Sequence, residues 1–309
     1  MRLLLFGCSG FIGQELVPRL LSKGHQLTIV SRQRNPIFNI SATDSSIKKI
    51  YMDPSIPSEW ENKGLLKALK TTQGIINLAG EPIAEKRWTK EHCEIIKASR
   101  LNTTELLIKT IAKTKAKIEV IINASAIGYY GTSLITHFDE RSEYGNDFLA
   151  KLCQEWELIA NKKPSSSRLI IIRIGIVIGP KGGALKKMLP IFRAGLGGPI
   201  GDGNQWMSWI HLTDICRIIE NSLINKNWKG VINGVAPSPV KMSDFAKNLG
   251  AVLGRPSLLN VPGPILKILL GDGAKVVLEG QHVSSIKLKE LNFEFTHPTL
   301  EEALASSTM

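Results

Sequence analysis

The sequence predicts an α/β fold, a doubly wound parallel sheet with a smaller C-terminal part, on three observations. Short apolar runs alternate with amphipathic stretches of helical length up to residue 179, the pattern of strands covered by helices on both faces. The first apolar run ends in a glycine-rich turn, Gly7-Cys8-Ser9-Gly10-Phe11-Ile12-Gly13, which opens a helix. From Pro180 the alternation weakens, prolines concentrate and a second Gly-rich stretch appears. Residues 1–179 are thus expected to form the sheet domain and 180–309 a smaller region interleaved with it.

Each element has its own reason. Residues 2–6 are apolar and stop at Gly7, which suits a buried strand. Residues 11–23 place Leu16, Val17, Leu20 and Leu21 on one helical face and end at Lys23-Gly24, a basic residue followed by a glycine stop. Pro18 lies inside that helix and is expected to bend it, because it forfeits one backbone bond. Gln26–Val30 is a second strand, and residues 35–60, rich in Ser, Pro and Asn, look like a variable surface segment. Strand Gly74–Leu78, helix Lys90–Thr114, strand Glu119–Ala124, helix Phe148–Asn161 and strand Arg168–Ile174 continue the alternation. Asp214 is placed to cap a helix over Ile215–Leu223.

Composition excludes several classes. Hydrophobic residues make up 43% and charged residues 21%, so a chain of 309 residues can bury a core without staples. Cys8, Cys93, Cys153 and Cys216 are far apart, with no CxxC pair, so reduced thiols in a cytoplasmic setting are expected. The opening Met1–Phe6 is too short for a signal segment, and Leu169–Ile178 too short to span a bilayer. The net charge of +12 is spread along the chain and aromatics are 6%, so a basic surface is expected and not a nucleic-acid groove. The six histidines show no ligand spacing, and no metal site is expected.

The glycine-rich turn has a ligand chemistry. A tight turn off the strand, close approach of backbone to pyrophosphate, and helix–sheet packing each call for glycine, at Gly7, Gly10 and Gly13. The helix start at Phe11 and Ile12 then offers free N–H groups to phosphate. The second strand ends Ser31-Arg32, with no acid at Ser31, Arg32 or Gln33 where a ribose 2′-hydroxyl would need one. A hydroxyl and a guanidinium suit a 2′-phosphate, so NADP(H) is the expected cofactor.

With Asn77-Leu78-Ala79-Gly80-Glu81, Arg87-Trp88, Ala98-Ser99-Arg100-Leu101 and Trp209-Ile210-His211-Leu212-Thr213-Asp214 added, the chain resembles the extended short-chain dehydrogenase/reductase superfamily. It is most similar there to epimerase-family proteins, often labelled nucleotide-sugar epimerases or SulA-type cell-division inhibitors. Gly195–Gly201, Asn233–Pro237, Leu278–Gln281 and Pro298–Leu304 extend the likeness over almost the whole chain. The resemblance implies a Rossmann-like NADP(H)-binding domain and a C-terminal part closing a substrate cleft. It implies that Leu78, Ala79 and Gly80 pass beside the cofactor, that Arg100 reaches cofactor phosphate, and that Val177 lines the nicotinamide side.

Most of that superfamily uses a tyrosine for proton transfer with a lysine four residues later, and a serine polarising the substrate oxygen. The residues four beyond Tyr51, Tyr129, Tyr130 and Tyr144 are Ser55, Ser133, Leu134 and Phe148, so no Tyr-x-x-x-Lys pair exists. If Trp156-Glu157 marks the motif's end, Leu149 and Cys153 take its places. Ser125, Tyr129 and Tyr130 are the remaining candidates for proton work, with Trp206 and Trp209 as candidates to sandwich a flat ligand.

Two readings follow. The first is an NADP(H)-dependent oxidoreductase or epimerase-type enzyme on an unidentified small substrate. The second is a non-catalytic NADP-binding regulatory protein, acting in cell or plastid division through a second copy or a division protein.

Overall fold

In the computed structural model, which describes residues 1–34, 38, 46–180 and 182–308, seven parallel strands form one sheet. They are β1 (Arg2–Phe6), β2 (Gln26–Ser31), β3 (Ile47–Tyr51), β4 (Gly74–Asn77), β5 (Val120–Ala126), β6 (Arg168–Ile174) and β7 (Gly230–Gly234). Their spatial order is β7-β6-β5-β4-β1-β2-β3, with the order reversing beside β1. That reversal opens a crevice at the carboxyl ends of β1 and β4, where ligands bind in sheets of this kind.

Helices cover both faces because each carries one apolar stripe. On one face α1 (Phe11–Ser22) contributes Leu16, Val17 and Leu20, and α6 (Leu212–Ile224) contributes Ile215, Ile218 and Ile219, all buried against β1, β5 and β6. On the other, α2 (Lys63–Leu69), α3 (Lys90–Thr114) and α4 (Phe148–Asn161) seat Leu65, Leu107, Ile111 and Ala160 against Leu4, Phe6 and Ile121. A third cluster joins α5 (Gly183–Arg193), α7 (Met242–Leu253) and the closing helix Leu300–Thr308 around buried Trp209 and Phe245. Among the described residues no helix is long and apolar enough to cross a membrane.

Helices 90–114 and 148–161 and strand 168–174 fall where the periodicity places them. Helix α1 stops at Lys23 with Gly24 at φ +74°, and it continues through Pro18. Residues 35–60 differ from expectation. Positions 35–37 and 39–45 lie outside the described residues, but Ile47–Tyr51 is a strand in register with β2, and Pro57–Glu61 is a short 3₁₀ turn. The composition hid this because pairing with β2, and not local preference, makes the strand.

Helix α6 also differs. It begins at Leu212, and the His211 ring caps it by accepting the Thr213 N–H at Nδ1. Asp214 is inside the first turn, fully buried, and accepts the backbone N–H groups of Thr296 and His297 at 2.7 and 2.9 Å. It pins the C-terminal segment and is not the cap.

Candidate functional site

The cleft starts at the turn between β1 and α1. Gly7 has φ +71°, and a Cβ there would stand 2.4 Å from the Leu78 carbonyl carbon, so the β1 and β4 turns can be this close only with glycine. A Cβ at Gly13 would stand 1.9 Å from the Cys8 carbonyl oxygen, which brings α1 tight against its own turn. Gly10 is the N-cap with no side-chain cap, so the N–H groups opening α1 at Phe11 and Ile12 face the crevice unblocked. The Phe11 ring turns away and packs under Gly182 and Gly183, beyond Val177. Val177 lies in a short strand, Ile176–Ile178, paired with Trp209–His211.

Beside this turn is a cavity of about 300 Å³, lined among others by Gly7, Gly10, Ser31, Arg32, Ala79 and Gly80. Ser31 Oγ lies 3.3 Å from Ser9 Oγ and accepts the Gln33 N–H at 3.0 Å. Arg32 Nη2 lies 3.2 Å from Glu81 Oε2, a carboxylate supplied by the β4 side of the cleft. No acid follows β2 in sequence, yet one faces its arginine in space. Asp53, Ser55, Ser99 and Thr103 also line the cavity. Sequence reasoning missed the first two because it took residues 35–60 for surface, and the α3 residues lie beside Arg100, which it had noted.

The far end of the cleft is filled. Ser125, at the end of β5, is buried and donates to Glu157 Oε1 at 2.6 Å. Glu157 in turn accepts both Nε and Nη2 of buried Arg173 at 2.8 Å. Arg173 Nη1 donates to the Tyr130 hydroxyl at 2.9 Å, and that hydroxyl donates to Asn233 Oδ1 at 2.7 Å. A buried ion pair needs such extra bonds to offset its desolvation. Burial pushes the Tyr130 pKa up to about 12, against the opposing pull of Arg173. Tyr129 is half-buried, with the Arg173 guanidinium 3.3 Å from its ring centre. Burial raises its pKa, while Arg173 opposes the rise.

Leu149 packs near Gly128, and Cys153 is buried with its thiol pushed up to about 11 by burial. Such a thiol is a poor nucleophile at neutral pH. Arg100 projects from α3 toward Gly80 and the Trp156 ring, 5.6 Å from the ring centre. The structure thus brings Ser125, Tyr129 and Tyr130 together around Arg173, and groups Gly7, Gly10, Ser31, Arg32, Leu78, Ala79 and Gly80 about the cavity mouth. Glu157, Arg173 and Asn233 were not foreseen; an arginine in an otherwise apolar strand was the available signal for Arg173.

The tryptophans part company. Trp209 is in the core, its indole N–H donating to Ser238 O, so it cannot sandwich a ligand. Trp206 is half-buried, donates to Leu134 O and carries Lys241 Nζ 3.9 Å from its ring. His211, Asp214 and His297 bring ligand-type atoms within 4.8 Å of one another. Burial lowers the His211 pKa to about 4, so its ring is neutral. Accepting the Thr213 N–H at Nδ1 leaves its proton on Nε2, so the His211 ring is engaged as the helix cap and has no free nitrogen lone pair in this arrangement.

A family model described as NAD dependent epimerase/dehydratase family matches residues 3–231. The chain belongs to that family. A second family model, a domain of unknown function (DUF1731), matches residues 261–307. The epimerase family protein SDR39U1 homolog, chloroplastic, of Arabidopsis thaliana is 42% identical, covering 96% of this chain and 84% of that one. Its Mus musculus namesake, SDR39U1, is 37% identical over 98% of both chains. The crystal structure of human SDR39U1 (isoform 2) with NADPH superposes with a TM-score of 0.88 at 34% identity, covering 100% of this chain and 99% of that one. The epimerase-family resemblance read from the sequence holds, as does the Rossmann-like sheet, whereas these matches lend no support to the SulA-type label.

Proposed function

We propose that this family member is an NADP(H)-dependent oxidoreductase or epimerase-type enzyme acting on a small substrate, with the 180–309 region supplying the substrate side of the cleft. The observation that carries it is the cavity joining the Gly7–Gly13 turn to Ser31 and Arg32. Its residues fit the cofactor. Gly7, Gly10 and Gly13 let backbone approach a pyrophosphate, and the α1 N–H groups at Phe11, Ile12 and Gly13 point to it. Ser31 and Arg32 take the 2′-phosphate, Arg32 exchanging Glu81 for the more strongly charged ligand. Leu78, Ala79 and Gly80 form the opposite wall, and the family resemblance alone assigns Val177 to the nicotinamide side. When bound, the cofactor supplies the hydride.

Proton work falls to Tyr129 in this reading. Ser125 and Tyr130 are committed to Glu157, Arg173 and Asn233, and the Tyr130 hydroxyl already donates its proton to a buried acceptor. Tyr129 keeps an exposed edge and stacks under Arg173, which stabilises negative charge on the ring oxygen as the proton leaves. Ser125 and Tyr130 act as its supports. Incubation of the purified protein with NADPH across carbonyl and nucleotide-sugar libraries tests the proposal. Turnover of at least one compound is expected, read as NADPH oxidation for a reductase or as an inverted stereocentre in the recovered sugar for an epimerase, and neither despite tight NADPH binding would overturn the enzyme reading.

One observation favours the second reading, a non-catalytic NADP-binding regulator. The polar groups at the reacting end are satisfied by one another, as in a structural core. A role in cell or plastid division through a second copy or a division protein rests on the resemblance alone.

A further inference from the structure

Tyr129 and Tyr130 stand on a short 3₁₀ turn, Ile127–Tyr130, that leaves the end of β5. So short a turn has few and poorly shaped hydrogen bonds of its own, and its placement depends on what holds it from outside. A distant segment, 279–285, does this, inside the region 261–307 matched by the family model of unknown function. Buried Gln281 donates from Nε2 to the Ile127 carbonyl at 2.9 Å, across 154 residues of sequence. Val283, fully buried, joins Ile127, Tyr130 and Val235 in a small core, against which Tyr129 and Phe138 pack. The chain leaving the turn is held as well. His282 and Val283 pair with His137 and Phe138, and the Ser133 N–H donates to Gly280 O at 2.9 Å. Asn233, which accepts from the Tyr130 hydroxyl, donates from Nδ2 to Ser284 O at 2.8 Å.

Gln281 is fixed at its own backbone too. Its carbonyl accepts from Ser208 Oγ at 2.8 Å, and the same hydroxyl accepts the Val283 N–H at 2.8 Å. The Ser208 carbonyl takes the Ile176 N–H, which ties this residue to the strand after Gly175. A Cβ at Gly280 would stand 2.0 Å from the Trp206 carbonyl oxygen, so only glycine lets the segment lie this close to the Trp206 backbone. The amide that meets Ile127 is thus anchored to residues 206–208, and not to β5. Its effect reaches Tyr129 directly. The Arg173 guanidinium lies 3.3 Å from the Tyr129 ring centre and is held separately, by Glu157 through two bonds of 2.8 Å. With the arginine fixed from α4, the position of the ring over it is set by the turn.

On the reading of Tyr129 as proton donor, we propose that Gln281 is its positioning residue, setting the Ile127–Tyr130 turn against Arg173 through the Ile127 carbonyl. The C-terminal region of unknown function thereby takes part in building the reacting end. The donor matters here and the bulk does not, because a buried carbonyl deprived of its N–H partner is free to seek another and carry the turn with it.

Gln281→Met and Gln281→Glu keep the length of the side chain and remove the amide donor. Both are assayed in the full chain with the carbonyl compound or nucleotide sugar that the unmodified protein turns over in the library screen. In both, kcat is expected to fall about tenfold or more, with KM and NADPH affinity within about twofold of the unmodified protein. Amide hydrogen exchange over Gly128–Gly131 is expected to speed about tenfold, while β1 and β6 keep their protection. Turnover within about twofold of the unmodified protein in both variants, or a raised KM at unchanged kcat, would overturn the assignment. So would protection lost equally across the sheet, which would make Gln281 a stabiliser of the fold as a whole. Full turnover in Tyr129→Phe would overturn the reading of Tyr129, and this inference with it. No turnover of any compound by the unmodified protein would overturn the enzyme reading itself.

Discussion

The two ends of the cleft are built on opposite principles. At the cavity end, backbone geometry does the shaping: Gly7 and Gly13 make room, α1 presents its N–H groups, and the Arg32 side chain, 55% exposed, pairs among the described residues with Glu81 across the cleft. At the Ser125 end, side chains fill the space, and five of them satisfy each other in a buried chain from Ser125 through Glu157, Arg173 and Tyr130 to Asn233. The first end is ready to exchange its partners for a ligand. The second holds its partners because an uncompensated charge there costs several kcal/mol. On the proposed reading, a family member without the Tyr-x-x-x-Lys pair keeps its ligand cradle open and turns most of the other end into scaffold, with Tyr129 at the margin.

Removing the centre of the scaffold should have the largest effect. Glu157→Ala leaves Arg173 buried without its bidentate partner, and a loss of about 3–5 kcal/mol of unfolding free energy is expected, read from urea melts. A loss below 1 kcal/mol would mean that the network is not structural. Tyr129→Phe sharpens the contrast between margin and scaffold. If Tyr129 delivers the proton, turnover on a substrate found in the screen falls by ~10²-fold with NADPH affinity nearly kept. Because burial raises the Tyr129 pKa above its ordinary value of 10.0, the donor stays protonated through neutral pH. The rate should accordingly show no alkaline limb from this group below that value.

Tyr130→Phe should act mainly on stability. It strands Asn233 Oδ1 and Arg173 Nη1, at a cost of about 1–3 kcal/mol. Turnover falling as far as in Tyr129→Phe would move the proton donor to Tyr130. The smallest change is at the open end. Glu81→Gln frees Arg32 from an exposed pair, and NADPH should bind up to about fivefold more tightly, read by calorimetric titration. Weaker binding would make Glu81 a ligand contact.

This division also explains what was legible in the sequence. The Gly7–Gly13 turn and the Ser31-Arg32 step are local, and their residue types follow from backbone approach and charge over a few positions. Glu157 and Arg173 meet across 16 residues, Tyr130 and Asn233 across 103, and Arg32 and Glu81 across 49. No local pattern encodes such pairs. Asp214 shows the same limit, since its preference for a helix start is genuine, but backbone N–H groups 82 and 83 residues away claim its carboxylate. Trp209 looked available beside the Gly-rich stretch until packing placed it in the third core.

The central claim, a dinucleotide cradle that selects the 2′-phosphate through Ser31 and Arg32, is tested most directly by titrating the unmodified protein and Arg32→Ala with NADPH and NADH. The account predicts that NADPH binds the unmodified protein at least about tenfold more tightly than NADH, a difference of about 1.4 kcal/mol, and that Arg32→Ala removes the preference. Equal affinities in the unmodified protein, or a preference unchanged in Arg32→Ala, would contradict it.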